Sequence, residues 1–137
     1  MKKIFKANDE LARILEKFEF IEVTDELDKI KGKKMFKHPA SRNKYIYFDY
    51  INIRVLSNKS YVESVFEIDE EELRNTLLFF LLKPSELKHI APDNHFSFNS
   101  ITSRLKMIKK ELKNPKLKES KKSSYEEILK IYENIEL

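Results

Sequence analysis

Three features of this 137-residue chain predict an α+β fold, with helices and an antiparallel sheet supplied by separate stretches. The chain opens on a helical apolar repeat, residues 33–68 carry aromatic and β-branched runs broken by turns, and beyond Pro84 only helical spacing recurs. The expected architecture is one N-terminal helix, an antiparallel sheet of three to five strands, a central helix and a helical C-terminal part. A single domain over 1–137 is expected, with an α+β core in 1–82 and the helical part in 83–137. Hydrophobic residues make up 41%, and ten Phe and six Tyr supply enough buried area for one core.

The first helix starts at Asn8, whose side chain can cap it. Asp9 and Glu10 complement the helix dipole in the first turn, and Leu11, Ile14, Leu15 and Phe18 form one buried face. Phe20, Ile21 and Val23 read as a short strand. Thr24 to Ile30 suits a helical turn with Leu27 and Ile30 inward, ended by Gly32, the chain's one glycine. Lys33 to His38 extends, and Pro39 to Asn43 forms a turn. Tyr45 to Leu56 reads as one long strand bent near Asp49 and Tyr50, with Ile51, Ile53 and Val55 on one face and Asn52 and Arg54 on the other. A turn at Ser57 to Ser60 leads to a strand from Tyr61 to Ile68, with Val62, Phe66 and Ile68 inward and Glu63 and Glu67 outward.

Asp69 and Glu72 have the spacing of a capping box, opening a helix from Glu70 to about Leu82 with Leu73, Leu77, Phe80 and Leu81 inward. The unbroken apolar run Leu77 to Leu82 has no polar face, so this helix is expected at the centre, between sheet and C-terminal helices. Pro84 ends it. A short helix over Ser85 to Ala91 and a loop over Pro92 to Phe98 precede a helix capped by Asn99 or Ser100, with Ile101, Leu105, Ile108 and Leu112 on its buried stripe. A basic linker, Asn114 to Lys122, then leads to a last helix opening at Ser124, with Glu127 completing its cap and Tyr125, Ile128, Leu129, Tyr132 and Ile135 docking.

Several chemistries are excluded by residue type. No cysteine means no disulfide, thiolate metal site or cysteine nucleophile, and one glycine rules out a glycine-lined phosphate cradle. His38, His89 and His95 are too few and too scattered for a metal centre to be argued from spacing, and no cofactor or catalytic motif is recognised. The N-terminal M-K-K-I-F-K-A-N-D-E lacks the apolar core of a secretory signal. The longest apolar run is six residues against the ~20 that cross a bilayer, so a cytoplasmic location without membrane contact is expected.

Charge is the informative property. The net charge is only +4, yet Lys29 to Lys44 holds seven cations and no acid, and Arg104 to Lys122 holds nine cations against Glu111 and Glu119. Acids gather instead at Glu63 to Glu72. Such separation suits a basic face turned to a polyanion. Lys31, Lys33, Lys34, Lys37, Arg42 and Lys44 can meet phosphates from a sheet edge, with Tyr45 and Tyr47 placed to stack on bases. Arg104, Lys106, Lys109, Lys110 and Lys113 lie off the buried stripe of their helix and form a second candidate surface. Lysines on an edge strand also guard against sheet-to-sheet aggregation, and a charge run can be a plain solvated face.

Over Leu11 to Phe48, the order of a helix, F-E-F-I-E-V, G-K-K-M-F-K-H-P and a returning strand resembles the HicA family of small mRNA-cleaving toxins, whose fold is similar to a double-stranded-RNA-binding domain. The resemblance implies RNA as a partner. That family's catalytic histidine follows a Gly-Ser pair in the second strand, where this chain has Lys33 or Lys34. A cleavage activity would therefore have to rest on His38. From Pro84 to Leu112, P-S-E-L-K-H-I-A, a loop and S-I-T-S-R-L-K-M-I-K-K-E-L resemble the helix-turn-helix of bacterial regulators. The resulting expectation is a small non-catalytic nucleic-acid-binding accessory protein of a bacterium or mobile element, taking RNA or DNA. The alternative is a protein-interaction module, an inhibitor, immunity or toxin-partner protein using the same surface.

Overall fold

The computed structural model describes residues 3–41, 43–49, 51–57, 60–91 and 97–137, and of Ser60, Tyr61, Val62 and Phe98 only the backbone. The fold is α+β, with helices making up about 48% and strands about 22%. The chain divides into two compact units, residues 1–73 with 137, and residues 74–136.

In the first unit, β1 (Ile4–Lys6) leads into α1 (Asp9–Lys17), β2 (Ile21–Glu22), α2 (Glu26–Ile30), β3 (Lys34–Lys37), β4 (Lys44–Asp49), β5 (Asn52–Ser57), β6 (Ser60–Val65) and β7 (Glu67–Asp69). Strands β2 to β6 form a five-stranded antiparallel sheet in chain order, and β1 pairs with β7 in a separate ribbon. The Leu11 N–H donates to the Asn8 Oδ1 at 3.2 Å, the cap that the residue type predicts, and Leu11, Ala12 and Leu15 are buried. Phe36, Ile46, Phe48, Ile53 and Val55 line the buried face of the sheet, the Phe36 and Phe48 rings 5.4 Å apart. The ribbon adds Phe5 and Ile68, which face each other in register.

The single long strand expected from Tyr45 to Leu56 is a hairpin. Asp49 pairs with Asn52, so the expected bend is a full reversal, and Ile51 sits exposed at its tip instead of beside Ile53 and Val55. Alternation cannot reveal this, because both arms keep period two on either side of the turn. Leu27 and Ile30, expected inward, are 61% and 83% exposed. The five-residue α2, capped by Asp25, buries none of its residues. Phe66, also expected inward, is 66% exposed, because the chain leaves β6 there and turns into β7. Gly32 follows α2 with φ of +74°, a left-handed conformation that glycine takes without a side-chain clash.

Helix α3 (Glu70–Leu81) begins directly after β7. The Asp69 N–H donates to Glu72 Oε1 at 3.0 Å and the Glu72 N–H to Asp69 Oδ1 at 2.8 Å, the reciprocal pair of a capping box. Leu73, Leu77 and Phe80 are buried as predicted, and so are Asn75, Thr76, Leu78 and Phe79.

In the second unit the rest of α3 is followed by α4 (Pro84–Leu87), α5 (Phe98–Glu111) and α6 (Glu119–Glu133), with α6 packed on both α4 and α5. Pro84 takes a first-turn position of α4 instead of merely ending α3. The cap of α5 is Ser97, whose side chain accepts from the Ser100 N–H at 3.4 Å; the expected caps, Asn99 and Ser100, lie inside the helix. Ile101, Leu105 and Ile108 form its buried stripe. Helix α6 starts at Glu119, so Ser124 is an interior residue and the basic linker is shorter than expected. Tyr125 and Ile128 are buried within α6, and Ile135 beyond its end. The Asn75 Nδ2 donates to the Thr102 Oγ1 at 2.9 Å and the Arg74 Nε to the Ile135 carbonyl at 3.3 Å, tying α3 to α5 and to the end of the chain.

Candidate nucleic-acid interface

Strand register decides which lysines face outward. Lys34 pairs with Phe48 and Phe36 with Ile46 on the buried face, so Met35, opposite Tyr47, is on the open one. Tyr47 is opposite Arg54, Tyr45 opposite Leu56, and Ile21 opposite Lys37. Two rows therefore cross the open face, one of Ile21, Lys37, Tyr45 and Leu56 and one of Val23, Met35, Tyr47 and Arg54, about 7 Å apart along each strand. Among the described residues, Val23, Met35, Lys37, Tyr45 and Leu56 line a hollow of about 520 Å³ between the rows.

Of the hairpin cations, several are already engaged. Asp49 receives Arg54 Nη1 at 2.8 Å and Lys33 Nζ at 3.9 Å. Burial works to lower the Lys33 pKa, and Tyr47, Asp49 and Asp28 more than offset this, leaving it raised. The Tyr47 hydroxyl is itself raised, first by burial and then by Asp28 and Asp49. Lys34 Nζ meets Asp9 at 3.3 Å. Lys44, only 9% exposed, lies on the buried face beside Ile46 and Phe48, where loss of solvent lowers its pKa from 10.5 to about 8. Lys31 is exposed and Lys37 half-exposed, while Arg42 falls outside the described residues.

The helical candidates keep their charge in solvent. Arg104, Lys106, Lys109, Lys110 and Lys113 are all exposed; Lys106, Lys109 and Lys110 occupy about 100° of arc on the side of α5 away from the Ile101 and Ile108 stripe, and Lys113 follows just past the helix end. The early start of α6 brings Lys121 and Lys122 onto a helix, with Lys116 and Lys118 in the connection, and all four are exposed. Burial raises the pKa of the Tyr125 hydroxyl, and the Glu111 carboxylate raises it further. Glu119 is the other acid of this elbow. Among the described residues no ion pair involves the eight lysines of the elbow.

His38 is buried, its ring edge-on to Phe20 at 5.0 Å and its Nδ1 accepting from the Ala40 N–H at 3.1 Å. Burial lowers its pKa against the opposing pull of the Phe18 carbonyl and Glu19. His38 is thus a packed turn residue with no open side for a substrate phosphate. The His89 ring meets Tyr125 edge-on at 5.2 Å, its pKa lowered by burial and by Lys88 and Lys121. His95 falls outside the described residues. No group of three metal-ligating side chains, and no helix long and apolar enough to cross a membrane, occurs among the described residues.

Lys33, Lys37, Tyr45 and Tyr47 are thus brought to one sheet face, while Lys34 and Lys44 are turned from it. Sequence reasoning missed Arg54, although the alternation of Ile53 and Val55 already set it on the polar side, and Lys116, Lys118, Lys121 and Lys122, which lay in a stretch read as linker. In comparisons with protein-family patterns, curated proteins and solved structures, none matches this chain.

Proposed function

We propose that this protein binds nucleic acid without catalysing a reaction on it, with the elbow of α5 and α6 as the main phosphate contact and the open face of the sheet as an additional one. The observation that carries this reading is the set of eight lysines from Lys106 to Lys122, all solvent-exposed, with none in an ion pair among the described residues. A phosphate approaching them displaces no intramolecular partner, and release of condensed counterions drives the association. The hairpin contributes less charge, because Lys33, Lys34 and Arg54 already face carboxylates.

The test is retardation of RNA and DNA by micromolar protein at about 50 mM salt, repeated as salt is raised. Six phosphate contacts give a log-log salt slope of roughly −5 on duplex DNA. Lys109→Glu with Lys110→Glu is expected to make that slope shallower by about 2. Absence of retardation for every nucleic acid at low salt refutes the reading.

A second reading, a protein-interaction module, is favoured by one observation: Ile21, Val23, Leu27 and Ile30 are all exposed around the short edge strand β2. It predicts a stoichiometric protein complex that persists after nuclease treatment and is lost in Ile21→Lys.

A further inference from the structure

We infer that the hollow on the open face of the sheet seats one unpaired nucleobase, so that this face recognises single strands in preference to duplexes. The inference rests on the nucleic-acid reading above and adds the class of strand. The hollow has one aromatic wall, Tyr45, and aliphatic or thioether walls from Val23, Met35 and Leu56. Its volume of about 520 Å³ lies within the usual range for small-ligand sites, roughly 300 to 1,000 Å³. Lys37 is the charged member of the described lining, and no acid is among those residues. Asp49, the acid on this face of β4, is held by Arg54 and Lys33.

An apolar hollow with one ammonium among its lining residues complements a ring that carries an anion a short distance away, which is the make-up of a nucleotide. The walls come from neighbouring strands of an open sheet face, so a ring can lie against them while its phosphate stays in solvent near Lys37. A base within a duplex has both faces covered by its neighbours and offers only its edges, so it cannot lie on Tyr45. Tyr47, two residues along β4 and about 7 Å away, gives the next nucleotide a second aromatic surface.

The inference is tested by fluorescence anisotropy with a labelled ten-nucleotide oligouridine and with a duplex of equal length, using the full chain, Tyr45→Ala, Tyr45→Phe, Lys37→Glu and the Lys109→Glu, Lys110→Glu pair. Circular dichroism and urea titration establish that each variant is folded. Tyr45→Ala is expected to weaken the single strand roughly ten- to hundredfold and leave the duplex unchanged. Tyr45→Phe retains the stacking ring and should bind as the parent does, whereas Lys37→Glu should weaken the single strand even if Tyr45→Ala fails to fold. If folded Tyr45→Ala and Lys37→Glu bind both probes like the parent while the helix pair loses binding, the base-seating inference is overturned and the nucleic-acid reading stands. If the parent binds neither probe, both fall. If free uridine monophosphate quenches tyrosine fluorescence in the parent and not in Tyr45→Phe, while the oligouridine is ignored, the hollow takes free nucleotides and the strand inference is overturned.

Discussion

Replacing Lys44 by Met should remove a pH dependence of stability between pH 8 and 10.5 and leave binding to nucleic acid unaltered. The ammonium lies on the buried face of β4, where its pKa falls from 10.5 to about 8. At 1.36 kcal/mol per tenfold in proton affinity this corresponds to roughly 3 kcal/mol against the charged form, and residual solvent contact scales it to ~1–2 kcal/mol. Below pH 8 the folded and unfolded chains both carry the proton, and the folded one bears the full cost. Between pH 8 and 10.5 the folded chain releases the proton first, so the unfolded chain holds more protons and the Lys44 contribution to stability rises with pH. Methionine fills a similar volume without the charge. In urea denaturation the midpoint of the parent should rise by roughly 0.5–1 M relative to that of Lys44→Met between pH 8 and 10.5, for a slope of about 2 kcal/mol/M. A difference between parent and variant that does not change over this pH range would refute the burial of the Lys44 ammonium.

His38 and Gly32 extend this reasoning to a second ionisable group and to the backbone. The lowered His38 pKa means that the folded state favours the neutral ring, so its contribution is complete above pH 6.5 and lost as pH falls through the folded value. Thermal unfolding between pH 7 and 5 should show stability declining more steeply in the parent than in His38→Gln; parallel curves would contradict the burial argument. At Gly32, where an added Cβ meets nothing within 4 Å, Gly32→Ala is expected to cost about 1 kcal/mol through left-handed backbone alone. Gly32→Asn should cost less, and calorimetry showing no loss in Gly32→Ala would mean that the turn relaxes.

Much of the helical part is readable from local spacing. Asn8, the Asp69 and Glu72 pair, and the Ile101, Leu105 and Ile108 stripe act through neighbours three or four positions away, and such contacts are written directly into residue order. The sheet was less legible. Whether a lysine on β3 or β4 points to solvent or inward depends on register, a non-local property, and a one-residue shift exchanges Lys44 for Tyr45. The β4–β5 reversal between Asp49 and Asn52 lacks the Gly or Pro that marks turns, and the three-residue β1 is too short to show a period. For the candidate interface the cations were visible as residue types, but not their partners. Asp9 engages Lys34 from 25 residues away and Asp49 engages Lys33 across the sheet.

The pairing of β1 with β7 closes a loop of about 60 residues, whereas every strand of the larger sheet meets its neighbour in sequence. Compared with a hairpin of about four residues, that closure carries roughly 2.4 kcal/mol of additional chain entropy, at ~0.6 kcal/mol per doubling. Its counterweight is concentrated in Phe5 and Ile68, each 2% exposed and worth ~1.5–3 kcal/mol on burial. The meander is held by a continuous run of local steps, and the ribbon by two side chains that must find each other across nearly half the chain.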